Sequence, residues 1–147
     1  MAISFKNITQ ENWQECIGLQ VAPHQKSYIA SNVYSLAESK FEPSFVPMGV
    51  YLDNRMIGFL MYGKDPEDGR YWIIRFMIDQ THQGKGYGKL ALAHSINFLK
   101  ALPDCSQTII LGVKESNSAA LRLYQSFGFK DTDRREHGEL LLEYLVH

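Results

Sequence analysis

Three glycines at alternate positions, in Gln83-Gly84-Lys85-Gly86-Tyr87-Gly88, are the first chemical signal in the chain. Glycine tolerates positive φ and lets a ligand come close to the backbone. Ahead of the glycines runs Tyr71-Trp72-Ile73-Ile74-Arg75-Phe76-Met77-Ile78, nearly unbroken in apolar character and closed by Asp79. Such a run suits a strand buried on both faces of a sheet. Behind them, Leu92, Ile96 and Leu99 recur at helical spacing until Pro103 stops the pattern. A strand-to-helix turn of this kind presents first-turn N–H groups and the positive end of the helix dipole, and Lys85 and Lys89 add charge of the same sign. That is an anion site, most simply for a phosphate or pyrophosphate. A glycine turn can also serve only to pack a helix against a strand, so the spacing must decide. The dinucleotide fingerprint needs G-x-G-x-x-G at the first strand of a βαβ unit, and the P-loop needs G-x-x-x-x-G-K-[ST]; neither is present.

A second constellation lies further along, Asn117-Ser118-Ala119-Ala120-Leu121-Arg122-Leu123-Tyr124-Gln125-Ser126-Phe127-Gly128-Phe129. Asn117 is placed to cap a helix and Gly128 to end it in the left-handed conformation. On spacing alone, Tyr124, three residues after Leu121, reads as a core aromatic.

Together the two segments resemble the Gcn5-related N-acetyltransferases, the GNAT superfamily. Gln83, Gly86 and Gly88 match its Q-x-x-G-x-G acetyl-CoA signature, and the second segment matches N-x-x-A-x-x-L-Y-x-x-x-G-F. The likeness spans roughly residues 48–145. It implies an α/β (α+β) fold of about seven strands in one mixed sheet flanked by helices, with two parallel central strands splayed apart. Acetyl-CoA would enter that gap as cosubstrate, without a metal. By the resemblance, the backbone of Phe76, Met77 and Ile78 would pair with the pantetheine arm, and Gln83, Gly84, Lys85, Gly86, Tyr87, Gly88 and Lys89 would hold the pyrophosphate. Ile110, Leu111, Gly112, Asn117, Ser118 and Ala119 would line the other wall. Tyr124 would lie near the thioester sulfur and protonate the departing thiolate. A tyrosine of pKa ~10 is a weaker acid than a thiol of ~8.5, so that transfer is uphill unless the site shifts a value or the steps are concerted. A backbone N–H near Met77 or Ile78 would stabilise the oxyanion.

The attacking amine poses the harder problem, because at pKa ~10.4 only about one in several thousand is neutral at pH 7. Gln25-Lys26-Ser27-Tyr28-Ile29, Met48-Gly49-Val50-Tyr51, the stretch from Ile57 to Gly63 and Arg75 to Asp79 resemble bacterial spermine/spermidine (diamine) N-acetyltransferases. A polyamine would be bound by carboxylates and tyrosines. Tyr28, Glu38 and Glu136 are the leading candidates, with Glu42, Glu139, Tyr34 and His24 beside them, although each acid taken singly reads as a solvated surface charge. In one respect the sequence departs from the pattern. Ile74 stands where these enzymes often carry an acidic residue, so either a base comes from elsewhere, with Glu115 a weak candidate, or the substrate is different. Arg75 either faces the cleft, where it would repel a polycation, or turns away to pair with an acid such as Asp79. Two other readings stay open: a GNAT enzyme for another small amine or a peptide N-terminus, and a non-catalytic acyl-CoA sensor.

At 147 residues, 45% apolar and 21% charged, the chain fits a single domain spanning 1–147. A net charge of −1 with no basic stripe argues against nucleic acid. Two cysteines, Cys16 and Cys105, offer neither a disulfide framework nor metal spacing, which fits a reduced, cytoplasmic protein. No signal-like N-terminus or apolar run of about 18 residues suggests a membrane. Many members of the resembled family are homodimers, but the sequence fixes no interface. The expected elements are a strand at Ile3 to Phe5, a helix capped by Thr9 through Gln20, and a helix from about His24 to Ser39. A loop bracketed by Pro43 and Pro47 precedes a hairpin turning at Asp53-Asn54-Arg55. The Tyr71 strand, the helix after the glycines, a buried strand at Thr108 to Val113 parallel to it, the Asn117 helix and a closing hairpin at His137-Gly138 complete the order.

Overall fold

The computed structural model describes residues 2–146. One sheet holds seven strands in the order β1-β2-β3-β4-β5-β7-β6. They are β1 (Ile3–Asn7), β2 (Phe45–Leu52), β3 (Arg55–Lys64), β4 (Tyr71–Ile78), β5 (Thr108–Val113), β6 (Lys130–Glu136) and β7 (Glu139–Leu145). Every neighbouring pair is antiparallel except β4 and β5. The helices are α1 (Trp13–Gly18), α2 (Asn32–Phe41), α3 (Tyr87–Lys100) and α4 (Ser118–Ser126). The expected mixed sheet with a parallel central pair is therefore present.

Apolar side chains divide between two cores. The larger gathers Leu92, Ile96 and Leu99 of α3 with Ile109, Leu111 and Val113 of β5, Leu140 and Leu142 of β7, and Phe129. The smaller joins Cys16 of α1 to Phe59, Met61 and Met77. Tyr71 to Ile78 thus forms a strand covered on both sides, as its continuous apolar character requires. Among the described residues no helix is long and apolar enough to cross a membrane.

Three expectations along the first half need correction. The second helix begins not at His24 but at Asn32, because Ser31 caps it by accepting the Tyr34 N–H at 3.1 Å; Pro23–Gln25 form only a 3-10 turn. Its buried face is polar. Asn32 donates to the Cys16 carbonyl at 2.9 Å and Ser35 is enclosed, while Val33, Tyr34 and Phe41 face outward. The first helix starts at Trp13 and ends at Gly18, so Gln20 lies beyond it, and Thr9 only opens the turn that leads in. Pro47 sits inside β2, opposite Met61 of β3. It lies just past the last β1 pairing, Asn7 with Met48, where a missing N–H leaves no β1 partner unsatisfied.

The central feature is a fork. β4 and β5 pair only at Tyr71–Ile109, Trp72–Ile110 and Ile73–Leu111. The remaining five residues of β4, from Ile74 to Ile78, have no β5 neighbour, and four of them, Arg75 to Ile78, keep a β3 partner on the other side. The cause lies in the register with β3, where Met61 pairs with Arg75 but Tyr62 pairs with Ile73. Ile74 is the extra residue of a β-bulge, and a bulge bends the strand that carries it. The bend falls where the β5 pairing stops.

Candidate functional site

The fork opens into a cleft of about 1480 Å³. From β4 it takes Phe76, Met77 and Ile78, and from the glycine turn Gln83, Gly84 and Gly88; Leu111, Gly112, Asn117, Ala119 and Tyr124 line the opposite wall. Residues expected from distant parts of the sequence therefore meet on one surface. Six of the expected residues lie outside that lining. Ile110 pairs with Trp72 below the fork, where the strands are still zipped. Lys85, Gly86, Lys89 and Ser118 sit exposed on the turn or at the helix starts, and Tyr87 is half-buried at the head of α3.

The turn requires its glycines at two positions. Gly84 and Gly86 have φ of 76° and 84°, and a Cβ on either would meet nothing within 4 Å. Gly86 is the N-cap of α3, whose ladder begins with the Leu90 N–H donating to the Gly86 carbonyl at 3.2 Å. The first-turn amides ahead of that bond are the ones a helix leaves without an intrahelical partner, which is what an anion cradle uses. The Gln83 side chain braces the turn by donating to the Ile78 carbonyl and to Gln25 Oε1, both at 2.9 Å.

Asp79 ties the turn to the chain segment between α1 and α2. Its carboxylate accepts from the Gln20 N–H at 2.8 Å, from the Thr81 N–H at 3.2 Å and from the Thr81 hydroxyl. Burial opposes its ionisation, but these bonds and the nearby His82 outweigh that and hold its carboxyl below the usual range. A folded-state value below the unfolded one gives stability that is present above the unfolded pKa and lost as pH falls through the folded one. Asp79→Ala is therefore expected to cost about 1–3 kcal/mol at neutral pH. Denaturant titrations should show the difference shrinking below about pH 4, where the parent chain loses the same contribution. Beyond Gln25, the Tyr28 hydroxyl donates to the Ser116 carbonyl at 3.4 Å, so this segment bridges from the α2 side to the β5–α4 loop.

Tyr124 is buried, its ring edge-on to Phe129 with centroids 6.0 Å apart. Burial, with the Glu139 charge adding to it, pushes its hydroxyl up to about 12. It stays protonated at any physiological pH.

The acidic candidates separate. Glu38 lines the cleft but pairs with Arg75, Oε1 to Nη2 at 3.1 Å. Arg75 therefore faces the cleft and neutralises Glu38, rather than turning away to Asp79. Glu115 is held by Arg135 through two bonds of 2.6 and 3.1 Å, which keep its carboxyl low. That tight pair on the exposed surface leaves it unsuited as a base. Tyr28, Tyr34, Glu42, Glu136 and Glu139 line the cleft; His24 does not. One lining residue escaped the sequence reading, and another was named only as a substrate contact. The Trp72 indole N–H is enclosed and finds no hydrogen-bond partner among the described residues. Glu139 is half-buried on β7, where its place beside a turn made it look like a surface charge.

Comparison with known proteins agrees with this architecture. The chain matches the acetyltransferase (GNAT) family over residues 6–129. It is 40% identical over 136 residues to the spermine/spermidine N(1)-acetyltransferase of Bacillus subtilis, covering 88% of this chain and 89% of that one. Among solved structures, it superposes on spermidine N-acetyltransferase from Vibrio cholerae in complex with CoA and spermine, with TM-score 0.74 at 15% identity over 97% of this chain and 95% of that one. An aminoglycoside acetyltransferase in complex with coenzyme A gives TM-score 0.81 at 14% identity over 98% and 95%. At such identities these two likenesses speak for the fold alone. The motifs, the forked sheet and the match over most of the length converge, and the chain belongs to the GNAT family of acetyltransferases.

Proposed function

We propose that this acetyltransferase moves an acetyl group from acetyl-CoA to a primary amine of a polyamine, spermidine or spermine, by direct attack within one complex. The observation that carries the reading is the fork, which opens onto a wall with more carboxylates than cations. Glu38, Glu42, Asp65, Glu136 and Glu139 face it, against Lys64, Arg75 and Lys114. A flexible polycation is stabilised by such an excess, and the 40% identical relative is named for that substrate class.

Each part of the cleft has a role in this scheme. The edge of β4 from Phe76 to Ile78 supplies backbone groups to the amide-bearing arm of the cosubstrate, since an unpaired strand edge accepts an extended chain. Gly84 and Gly88 let the pyrophosphate approach the amides of the turn, with Gln83 bracing it, Gly86 and Tyr87 shaping it, and Lys85 and Lys89 adding charge. Leu111, Gly112, Asn117, Ser118 and Ala119 form the facing wall. Tyr124 donates its proton toward the departing sulfur. Glu136 and Tyr28 hold the far ammonium groups, and Glu38 contributes less because Arg75 already occupies it.

A CoA-release assay across spermine, spermidine, putrescine, lysine and peptide amines tests the proposal. Spermidine or spermine is expected to exceed the others by at least about ten-fold in kcat/KM, the discrimination that roughly one well-placed charge contact provides. Equal rates with unrelated monoamines would overturn it.

A further inference from the structure

Ile74 cannot take a proton and Glu115 is occupied by Arg135, so the acceptor amine still needs a base. The β7 strand offers one. Glu139 pairs with Glu136 at the end of the β6–β7 hairpin, and its side chain turns inward onto the same cleft wall as Gly112. A Cβ added to Gly112 would lie 2.6 Å from Glu139 Oε1 and 3.3 Å from its Cδ. The carboxylate is thus laid against the β5 backbone, one residue beyond the last β4–β5 pairing at Leu111. Any side chain at position 112 would push it away. Among the described residues it forms no ion pair. The charged and titratable groups around it are Tyr124 from α4, Arg75 from β4, Lys114 from the end of β5 and His137 from the hairpin turn.

We infer that Glu139 is the group that takes the proton from the acceptor ammonium, and that Gly112 is glycine to leave room for it. Burial raises the Glu139 carboxyl above its usual range, and Arg75, Lys114 and His137 only partly offset the shift. A raised value makes a carboxylate a better base toward an ammonium. The proton balance closes. The ammonium gives one proton to Glu139, and the neutral nitrogen then forms its bond to the acetyl carbon as the carbon–sulfur bond breaks. The second nitrogen proton replaces the one that Tyr124 delivers to the sulfur, and Glu139 returns its proton to solvent.

This inference rests on the proposed amine acetylation, and its test separates the two. In the full chain, Glu139→Gln should lower kcat for spermidine about a hundred-fold at pH 7, while acetyl-CoA affinity by calorimetry stays within about two-fold. The deficit should shrink about ten-fold per pH unit and vanish near pH 9, as more of the amine sheds its proton unaided. Gly112→Ala should reproduce part of the loss, and the double variant should be no worse than Glu139→Gln alone. The melting temperature of the Gln variant should not fall. The carboxyl's folded value lies above its unfolded one, so its ionisation weakens the fold as pH rises through that window. A deficit confined to KM and constant with pH would make Glu139 an ammonium anchor and overturn the inference. So would a Gln variant that keeps the parent profile. If the parent releases no CoA with any amine, the amine reading itself fails and takes this role with it.

Discussion

Tyr124→Phe is expected to lower kcat about a thousand-fold with spermidine while acetyl-CoA binding stays within about two-fold. The expected loss is large because in the proposed scheme the hydroxyl acts only when charge builds on the leaving sulfur, and an interaction made only in the transition state lowers kcat rather than affinity. Removing one oxygen opens no large void, since Phe keeps the ring packed edge-on against Phe129. At about 12 against ~8.5 for a thiol, full transfer to the departed thiolate would be uphill by several orders of magnitude, and transfer to the intact thioester sulfur still more so. Tyr124 is therefore expected to share its proton as the carbon–sulfur bond breaks. The parent should show no alkaline fall assignable to this hydroxyl below about pH 10, and a solvent isotope effect on kcat should disappear in the Phe variant. Equal turnover in the two proteins would remove Tyr124 from the chemistry, and turnover in neither, with CoA affinity kept, would favour an acyl-CoA sensor.

Gly86→Val is expected to weaken CoA binding about a hundred-fold. At φ of 84° a β-branched residue costs about 1–3 kcal/mol, which the chain can escape only by turning the peptide planes of the loop away. In the proposed site those planes carry the amides that would face the diphosphate. Because Gly86 lies just outside the cleft lining, the effect runs through the backbone and not through a filled space. Gly69 supplies the control, with φ of 73° in the β3–β4 loop and only Lys64 Cε, at 3.8 Å, near an added Cβ. Gly69→Val should lower the melting temperature by a similar amount and leave the calorimetric Kd for CoA unchanged. Unchanged affinity in a folded Gly86→Val protein would take the diphosphate out of the glycine turn.

Much of this was legible in the sequence because it depends on local rules. An apolar run ahead of alternating glycines, and an Asn and a Gly bracketing a helix, state their structure within a dozen residues. Asn117 does cap α4, accepting from the Ala120 N–H at 3.3 Å, and Gly128 has φ of 103°. What stayed hidden depends on distant partners. The α2 helix buries Asn32 because the Cys16 carbonyl waits for it, and no periodicity reports a polar partner in another element. The pairing of Arg75 with Glu38 depends on where α2 begins, and apolar spacing alone starts that helix too early, at His24. Glu139 was visible in the sequence as one acid among several, but its proposed role as a base could be argued only once β7 lay beside Gly112.

The bulge at Ile74 has one more implication. The width of the mouth is written into how β4 counts against β3, and not into the bulk of any residue along it. Replacement of those side chains is expected to leave the opening intact, whereas deletion of Ile74 is expected to let the two ribbons close like a mended seam. An aperture encoded by arithmetic survives sequence drift, which fits the shared architecture at 14% and 15% identity.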